Sequence, residues 1–148
     1  MIDHINIVVA DLERAAGFYE AVFGFRRGFS AQLEGEWIAT VTGLEGARAK
    51  CLFLEAPDGG ARLELIRYDA PVDEFCPFDP MPNEPGLRHI AFEVQDVDGT
   101  LEQVRALGVR PISEPVEVPF RVANLGTKRL AYFHDFDGTI VEIASYQQ

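Results

Sequence analysis

The sequence predicts an α+β fold in which two copies of a βαβββ module form a curved mixed sheet around a central cavity. Each half of the chain opens with a strand and a helix, each closes with short strands separated by turns, and an offset of 85 residues aligns the two openings. A chain of 148 residues suffices for one domain with a sizeable core. We therefore expect one domain over 1–148, with module 1 at about 1–68, a linker at about 69–85 and module 2 at about 86–148.

The first β-α unit begins with a β-branched run from His4 to Ala10. Asp11 is a suitable N-cap for the helix that follows, and Gly24 stands where a C-cap is expected. Between them, apolar residues recur at three- and four-residue spacing, which is typical of a helix packed on one face. The pattern predicts a helix that ends at about Phe23.

The second β-α unit repeats this arrangement. A strand is predicted at about 87–94, and a helix capped by Asp96 or Asp98 should run to about Leu107 and end at Gly108. The same offset aligns Asp11 with Asp96, and it brings Gly24 within one residue of Gly108. These matches indicate an internal repeat.

Short β-rich segments separated by turn residues follow each helix. In module 1 we predict strands at about 37–42, 49–55 and 62–68, with a hairpin turn at 58–60. In module 2 we predict strands at about 110–116, 120–123, 129–134 and 139–145, with a turn at 135–138. The linker holds five prolines, five acidic residues and no lysine or arginine, which predicts a loop or a lid between the modules.

The composition restricts the partners. A net charge of −11 and a pI near 4.6 disfavour nucleic acid and anionic membranes, so a small-molecule substrate is expected. No apolar stretch reaches the ~18 residues needed to span a bilayer, and no leader pattern is present, so we expect a cytoplasmic protein. Cys51 and Cys76 are too isolated for a disulfide framework or a zinc ribbon.

Each module opens with a histidine on its first strand and closes with a glutamate on its last. These residues are His4 and Glu64 in module 1, and His89 and Glu142 in module 2. Since strand side chains alternate between faces, the histidines should lie on the concave face, opposite the apolar residues that pack beneath the helices. The third histidine, His134, has no counterpart in the repeat and is expected to be exposed before a turn.

Two imidazoles and two carboxylates on one concave face suit a divalent ion such as Zn, Ni, Co, Mn or Fe. A buried carboxylate without a partner costs several kcal/mol, and two facing carboxylates repel each other. We therefore expect one divalent ion per site, because a dication resolves both problems while its open positions accept substrate.

The chain resembles the vicinal oxygen chelate superfamily, which includes glyoxalase I, methylmalonyl-CoA epimerase, extradiol dioxygenases, and bleomycin and fosfomycin resistance proteins. The resemblance covers nearly the whole chain and rests on these segments: Asp3-His4-Ile5, Asp11-Leu12, Phe18-Tyr19, Phe23-Gly24-Phe25, Leu63-Glu64-Leu65, residues 86–92, Tyr132-Phe133, residues 135–138 and Val141-Glu142.

This resemblance implies that His4, Glu64, His89 and Glu142 are metal ligands. It also implies a homodimer, with the ligands supplied by one chain or by two. The activity it implies is that of a glyoxalase-like isomerase or lyase, which chelates two oxygens of a small hydroxycarbonyl or dicarbonyl substrate. Glu142 would then be the catalytic base, while Glu64 would remain a ligand or act as the opposing acid and base.

Several details limit the choice of reaction. Val8 and Tyr68 occupy the positions where the resemblance expects Arg and Asn side chains that hold glutathione, which argues against that substrate. Leu44, with Glu45 beside it, occupies the position of an epimerase base.

Two alternatives remain. One is an Fe(II) extradiol-type dioxygenase, for which Glu64 is one ligand too many, and His134, Tyr68 or Tyr132 would stand beside the oxygen site. The other is a metal-free drug-binding resistance protein with an aromatic groove, which the four ligands argue against. That groove would be lined by Trp37, Phe75, Phe78, Met81 and Phe120.

Overall fold

The computed structural model describes residues 1–72 and 80–148. The chain divides into two compact units, residues 1–76 and 77–148, and each has its own four-stranded mixed sheet. The two βαβββ modules of the α+β fold are thus confirmed. Among the described residues, no helix has both the length and the apolar character needed to cross a bilayer.

The first unit contains six elements in chain order. They are β1 (His4–Val8), α1 (Leu12–Phe23), β2 (Arg26–Leu33), α2 (Glu36–Thr42), β3 (Arg48–Glu55) and β4 (Arg62–Ala70). The sheet order is β1-β4-β3-β2, in which β1 runs parallel to β4 and the other neighbours are antiparallel. Placing β4 beside β1 brings the last strand of the module against the first.

The helix α1 ends as its sequence predicts. The Asp11 carboxylate accepts a hydrogen bond from the Arg14 backbone N–H at 3.1 Å, and Gly24 adopts a left-handed φ of 71°. A glycine accepts this conformation without the steric cost that a side chain would add. Between these caps, Ala15, Ala16, Phe18 and Tyr19 are buried, with Ala16 and Tyr19 fully so.

The second unit repeats this plan. Its elements are β5 (His89–Glu93), α3 (Val97–Ala106), β6 (Val116–Val122), a 3-10 turn (Ala123–Leu125), β7 (Gly126–His134) and β8 (Ile140–Gln147). The sheet order is β5-β8-β7-β6, and β5 is parallel to β8. Asp96, rather than Asp98, caps α3 by accepting from the Gly99 N–H at 3.0 Å. Gly108 follows the helix end with a φ of 86°.

The strand predicted at 37–42 is wrong, because these residues belong to α2. Their β-branched composition favours a strand, but Ile38 is buried and the Thr42 hydroxyl donates to the Ile38 carbonyl one turn earlier at 2.6 Å. Gly43 then ends the helix with a φ of 70°. The second strand of the module is instead β2, which was not predicted; most of its residues are exposed and it shows little alternation.

The strand predicted at 110–116 is also wrong. Only Pro111 makes an isolated bridge, to Phe133, and the continuous strand β6 begins at Val116 and includes most of the segment predicted at 120–123. The strands predicted at 49–55, 62–68, 129–134 and 139–145 are confirmed, although β7 begins at Gly126, earlier than predicted. Likewise β4 continues into the predicted linker as far as Ala70, and the linker residues 73–79 lie outside the described residues.

Candidate metal site

The first pair of candidate ligands lies on β1 and β4. The parallel register sets Asn6 opposite Glu64, one pleat beyond His4 on the same face. His4 Nε2 lies 3.4 Å from Glu64 Oε2. The opposite face of β1 packs into the core, since Ile7 is 6% exposed whereas Val8 is 49% exposed. The predicted alternation along β1 is therefore confirmed.

Asp3 holds the other nitrogen of the His4 ring. Its Oδ2 lies 2.6 Å from His4 Nδ1, and Arg62 Nη2 contacts both Asp3 oxygens at 2.8 and 2.7 Å. The hydrogen bonds from His4 and from Arg62 lower the pKa of Asp3. A carboxylate at this place accepts a hydrogen bond from Nδ1–H, and in that tautomer the Nε2 lone pair is available to a metal ion.

Neutral groups surround Glu64. Asn6 Nδ2 donates to the Glu64 backbone carbonyl at 3.0 Å and approaches its Oε2 at 3.4 Å. The Phe53 ring packs edge-on against His4 at 5.4 Å between ring centres. The Glu64 side chain remains 17% exposed, so water still reaches it.

The second pair lies on β5 and β8. Ala91 stands opposite Glu142 in the parallel register, and His89 Nε2 lies 3.3 Å from Glu142 Oε2. This geometry repeats that of the first pair. The Glu142 side chain is much more enclosed, however, at 3% exposure. A carboxylate so deeply buried requires a compensating positive charge.

The Lys128 ammonium on β7 supplies that charge, because it contacts Glu142 Oε1. Burial opposes the charged form of Lys128, but the Glu142 carboxylate outweighs it and the pKa of Lys128 is raised. Burial, followed by the Glu142 charge, also raises the pKa of Tyr132, whose ring lies 5.2 Å from the His89 ring. A divalent ion was expected to compensate both glutamates; for Glu142, Lys128 also supplies a positive charge.

The remaining histidine also differs from prediction. His134 is half-buried rather than exposed, and its Nε2 lies 3.4 Å from the Pro80 carbonyl oxygen.

The aromatic groove gains no support from the described residues of either unit. Trp37 belongs to the first unit, whereas Met81 and Phe120 belong to the second, and all three are exposed. Phe75 and Phe78 lie outside the described residues.

The nitrogen and oxygen atoms of the two pairs are of the kinds that bind a divalent transition metal. Each unit offers one imidazole nitrogen that faces one carboxylate oxygen, and His4 has the outer carboxylate that orients many metal-binding histidines. Among the described residues, however, no group of three or more His, Cys, Asp or Glu side chains is arranged to hold a metal.

Sequence reasoning named both pairs but gave no role to the groups that support them. Asn6 could have been found from strand alternation, because it lies two residues beyond His4 on the same face, whereas Asp3 precedes β1 and is only adjacent in sequence. To identify Lys128 as a neighbour of Glu142, the start of β7 had to be predicted correctly. Once β7 includes Lys128, alternation and the antiparallel register place it on the same face as Tyr132 and Glu142.

Comparisons with known proteins agree with this architecture. The chain is 24% identical to human mitochondrial methylmalonyl-CoA epimerase over 96% of this chain and 72% of that protein. It superposes on a glyoxalase family protein from Bacillus cereus with a TM-score of 0.87 and 26% identity, covering 99% of this chain and 94% of the other.

A third similar protein is a fosfomycin resistance protein of Listeria monocytogenes. A mutant of that protein in complex with Mn(II) and 1S,2S-dihydroxypropylphosphonic acid gives a TM-score of 0.59 and 25% identity, over 97% of this chain and 87% of the other. The family model of the Glyoxalase/Bleomycin resistance protein/Dioxygenase superfamily matches residues 1–143. Because that match spans nearly the whole sequence, the chain belongs to this superfamily.

Proposed function

We propose that this protein is a metal-dependent isomerase or lyase acting on a small hydroxycarbonyl or dicarbonyl compound through two chelated oxygens. One observation carries the proposal: each module places a histidine nitrogen 3.3–3.4 Å from a glutamate oxygen at equivalent strand positions. The superfamily includes metal-dependent enzymes, and the Mn(II) complex of the Listeria protein supports a divalent ion as the cofactor.

In this proposal His4, Glu64, His89 and Glu142 together hold one divalent ion. When bound, the ion would act as a Lewis acid on the substrate oxygens. Glu142 would accept the proton from carbon, and Lys128, which contacts its Oε1, would hold the carboxylate in place. Glu64, whose Oε2 has the neutral Asn6 amide and His4 Nε2 beside it, would bind the ion or return the proton from the opposite side.

Metal analysis of the purified full chain tests the ligand set. We expect one divalent ion per pair of modules in the wild type, and its loss in His4→Ala and in His89→Ala. His134→Ala is the matched control, because it removes the one histidine outside the two pairs. Stoichiometric metal that persists in His89→Ala would refute the proposal.

Mixing two inactive variants tests whether one chain or two supply the ligands. If each site takes its two pairs from different chains of a homodimer, a refolded mixture of His4→Ala and His89→Ala should regain about half of the metal per heterodimer. If each chain supplies both pairs, every site keeps a defect and no metal returns. The oligomeric state is measured on the same samples by sedimentation.

Proton exchange tests the reaction class. With the metal-loaded protein in D₂O, NMR should show deuterium entering the carbon next to the carbonyl of a 2-hydroxycarbonyl compound. Removing a general base typically costs 10²–10⁴-fold in rate, so Glu142→Gln should slow the exchange about this much. Exchange that is unaffected in Glu142→Gln while metal remains bound would exclude Glu142 as the base.

An Fe(II) dioxygenase is the second candidate, and the position of Tyr132 favours it, since its ring lies 5.2 Å from the His89 ring. Two histidines and one carboxylate suffice for such iron, so Glu64→Ala should then retain it. Oxygen consumption with a catechol by the iron-loaded protein would support this candidate over the isomerase or lyase.

A further inference from the structure

A cleft of about 550 Å³ lies in the first unit where β1 and β4 end. Its walls include Val8 and Tyr68 from the strands, Leu44 from the segment after α2, and Val72 from the segment after β4. All of these residues are described, and all belong to one compact unit. The volume lies within the range typical of small-molecule sites.

One wall of the cleft lies on the sheet face that carries the first pair. Val8 lies four residues beyond His4 on β1, and Tyr68 lies four residues beyond Glu64 on β4, so strand alternation puts both on that face. At roughly 3.3 Å per residue, Val8 lies about 13 Å from His4 along β1. Val8 and its partner Ile66 lie one pleat, or about 7 Å, past Asn6 and Glu64.

The described wall residues are mostly apolar, and none of them carries an unpaired charge that would select an ionic group. Leu44 and Val72 are 38% and 70% exposed. The one guanidinium at the cleft, that of Arg67, donates to Asp69 Oδ1 at 2.6 Å. Tyr68 packs against the buried cluster of Ala49, Cys51 and Ile66, which fixes one wall in place.

We propose that this cleft binds an uncharged apolar arm of the substrate whose oxygens are held at the first pair. The inference rests on the proposed function and deepens it, because it makes the substrate a hydroxycarbonyl or dicarbonyl compound with an extended alkyl or aryl tail. The exposed apolar surface of the cleft is the selective element. Covering this surface favours binding only if the tail of the substrate reaches it.

The cleft can be tested without any metal. In EDTA, 1-hexanol is titrated into methyl-labelled protein and followed by NMR. The methyl groups of Val8, Leu44 and Val72 should shift with a common saturation curve, whereas those of Val41, exposed on α2, should not. The proposal fails if these methyls do not respond, or if they respond instead to protein concentration, which would mean that a second copy covers the cleft.

The length of the tail is tested on the Mn(II)-loaded protein by calorimetry with pyruvate, 2-oxobutanoate, 2-oxohexanoate and 2-oxooctanoate. Each methylene that enters the cleft should tighten binding about threefold, with little gain for the shortest members, whose tails end before Val8. Equal affinity across the series would overturn the proposal.

A substitution separates the cleft from the metal site. Val8→Asp should weaken 2-oxooctanoate at least about tenfold, since it puts a charge where apolar burial is expected, and leave pyruvate and metal content unchanged. Val41→Asp is the matched control and should change neither. If hexanol binds but the protein holds no metal, the proposed function fails and the cleft stands; if metal binds and Val8→Asp has no effect, the cleft proposal fails alone.

Discussion

Lys128 is the residue whose removal should report most directly on the second pair. It contacts Glu142, whose side chain is 3% exposed, while its own side chain is 20% exposed. Removing one partner of a buried ion pair usually costs 3–5 kcal/mol because the other charge is left uncompensated. Water reaches part of Lys128, so we expect Lys128→Met to lose about 3 kcal/mol, at the lower end of that range.

A divalent ion should reverse this loss. With metal on Glu142 Oε2 and the ammonium on Oε1, the two cations would lie roughly 5 Å apart, a repulsion of about 1.7 kcal/mol even in water. Lys128→Met removes that repulsion and should bind Mn(II) about tenfold more tightly. Metal at a hundred times its Kd adds about 2.7 kcal/mol of stability, which would restore most of the loss.

Urea unfolding, followed by circular dichroism near neutral pH with EDTA or with Mn(II), measures both effects. Lys50→Met is the matched control, because Lys50 is the only other lysine and is exposed on β3. The proposed role of Lys128 beside Glu142 is refuted if Lys128→Met is as stable as Lys50→Met in EDTA, or if Mn(II) stabilises the two variants equally.

Two further predictions concern the scaffold of the second unit. The hydrogen bonds from Arg129, at 2.9 and 2.7 Å, lower the pKa of Asp98 in the folded protein. They therefore stabilise the fold at a pH above the usual aspartate pKa, and this stabilisation is lost as the pH falls through the pKa of Asp98 in the folded protein. Asp98→Asn should therefore melt below the wild type near neutral pH and match it in strong acid, as calorimetry over a pH series would show. Gly126 has a φ of 97°, and an added Cβ would lie 1.9 Å from the Gln147 carbonyl oxygen. Gly126→Ala should cost about 3 kcal/mol in urea unfolding, whereas Gly17→Ala, in open space on α1, should be neutral or stabilising.

The two long helices could be predicted because their signals are local. Asp11 and Asp96 each accept from a backbone N–H three residues later, and the apolar spacing between caps specifies the buried face. The equivalence of the two caps also revealed the repeat. Nothing distant in sequence is needed to explain either helix.

The wrong secondary-structure predictions lie where the local conformational preference of the residues and their tertiary environment disagree. Residues 36–42 are β-branched and aromatic, yet burial of Ile38 and the left-handed Gly43 make them a helix. Conversely β2 is an edge strand paired on one side to β3, and its mostly exposed residues carry no alternation. Its pairing partner, which is distant in sequence, determines its conformation.

The two histidine–glutamate pairs could be predicted because a parallel strand pair converts sequence position into a shared face. His4 with Glu64 and His89 with Glu142 follow from alternation and from the adjacency of the first and last strands. The supporting charge could not be predicted in this way. Lys128 lies on β7, whose start was misplaced, and among the described residues of the first unit no lysine or arginine forms an ion pair with Glu64.

This difference makes the two glutamates chemically unequal despite their equivalent backbone positions. Glu64 has a neutral amide beside it and remains partly hydrated. An added cation would therefore be attracted by the Glu64 charge without displacing another cation. Glu142 is buried and already neutralised by an ammonium group, so an added cation would have to share it. A carboxylate held on one oxygen by Lys128 keeps a fixed orientation, which is what a general base needs to meet its proton, whereas Glu64 can adjust to the ion. The repeat thus accounts for where the two groups lie, and the unrepeated Lys128 and Asn6 account for how their roles would divide.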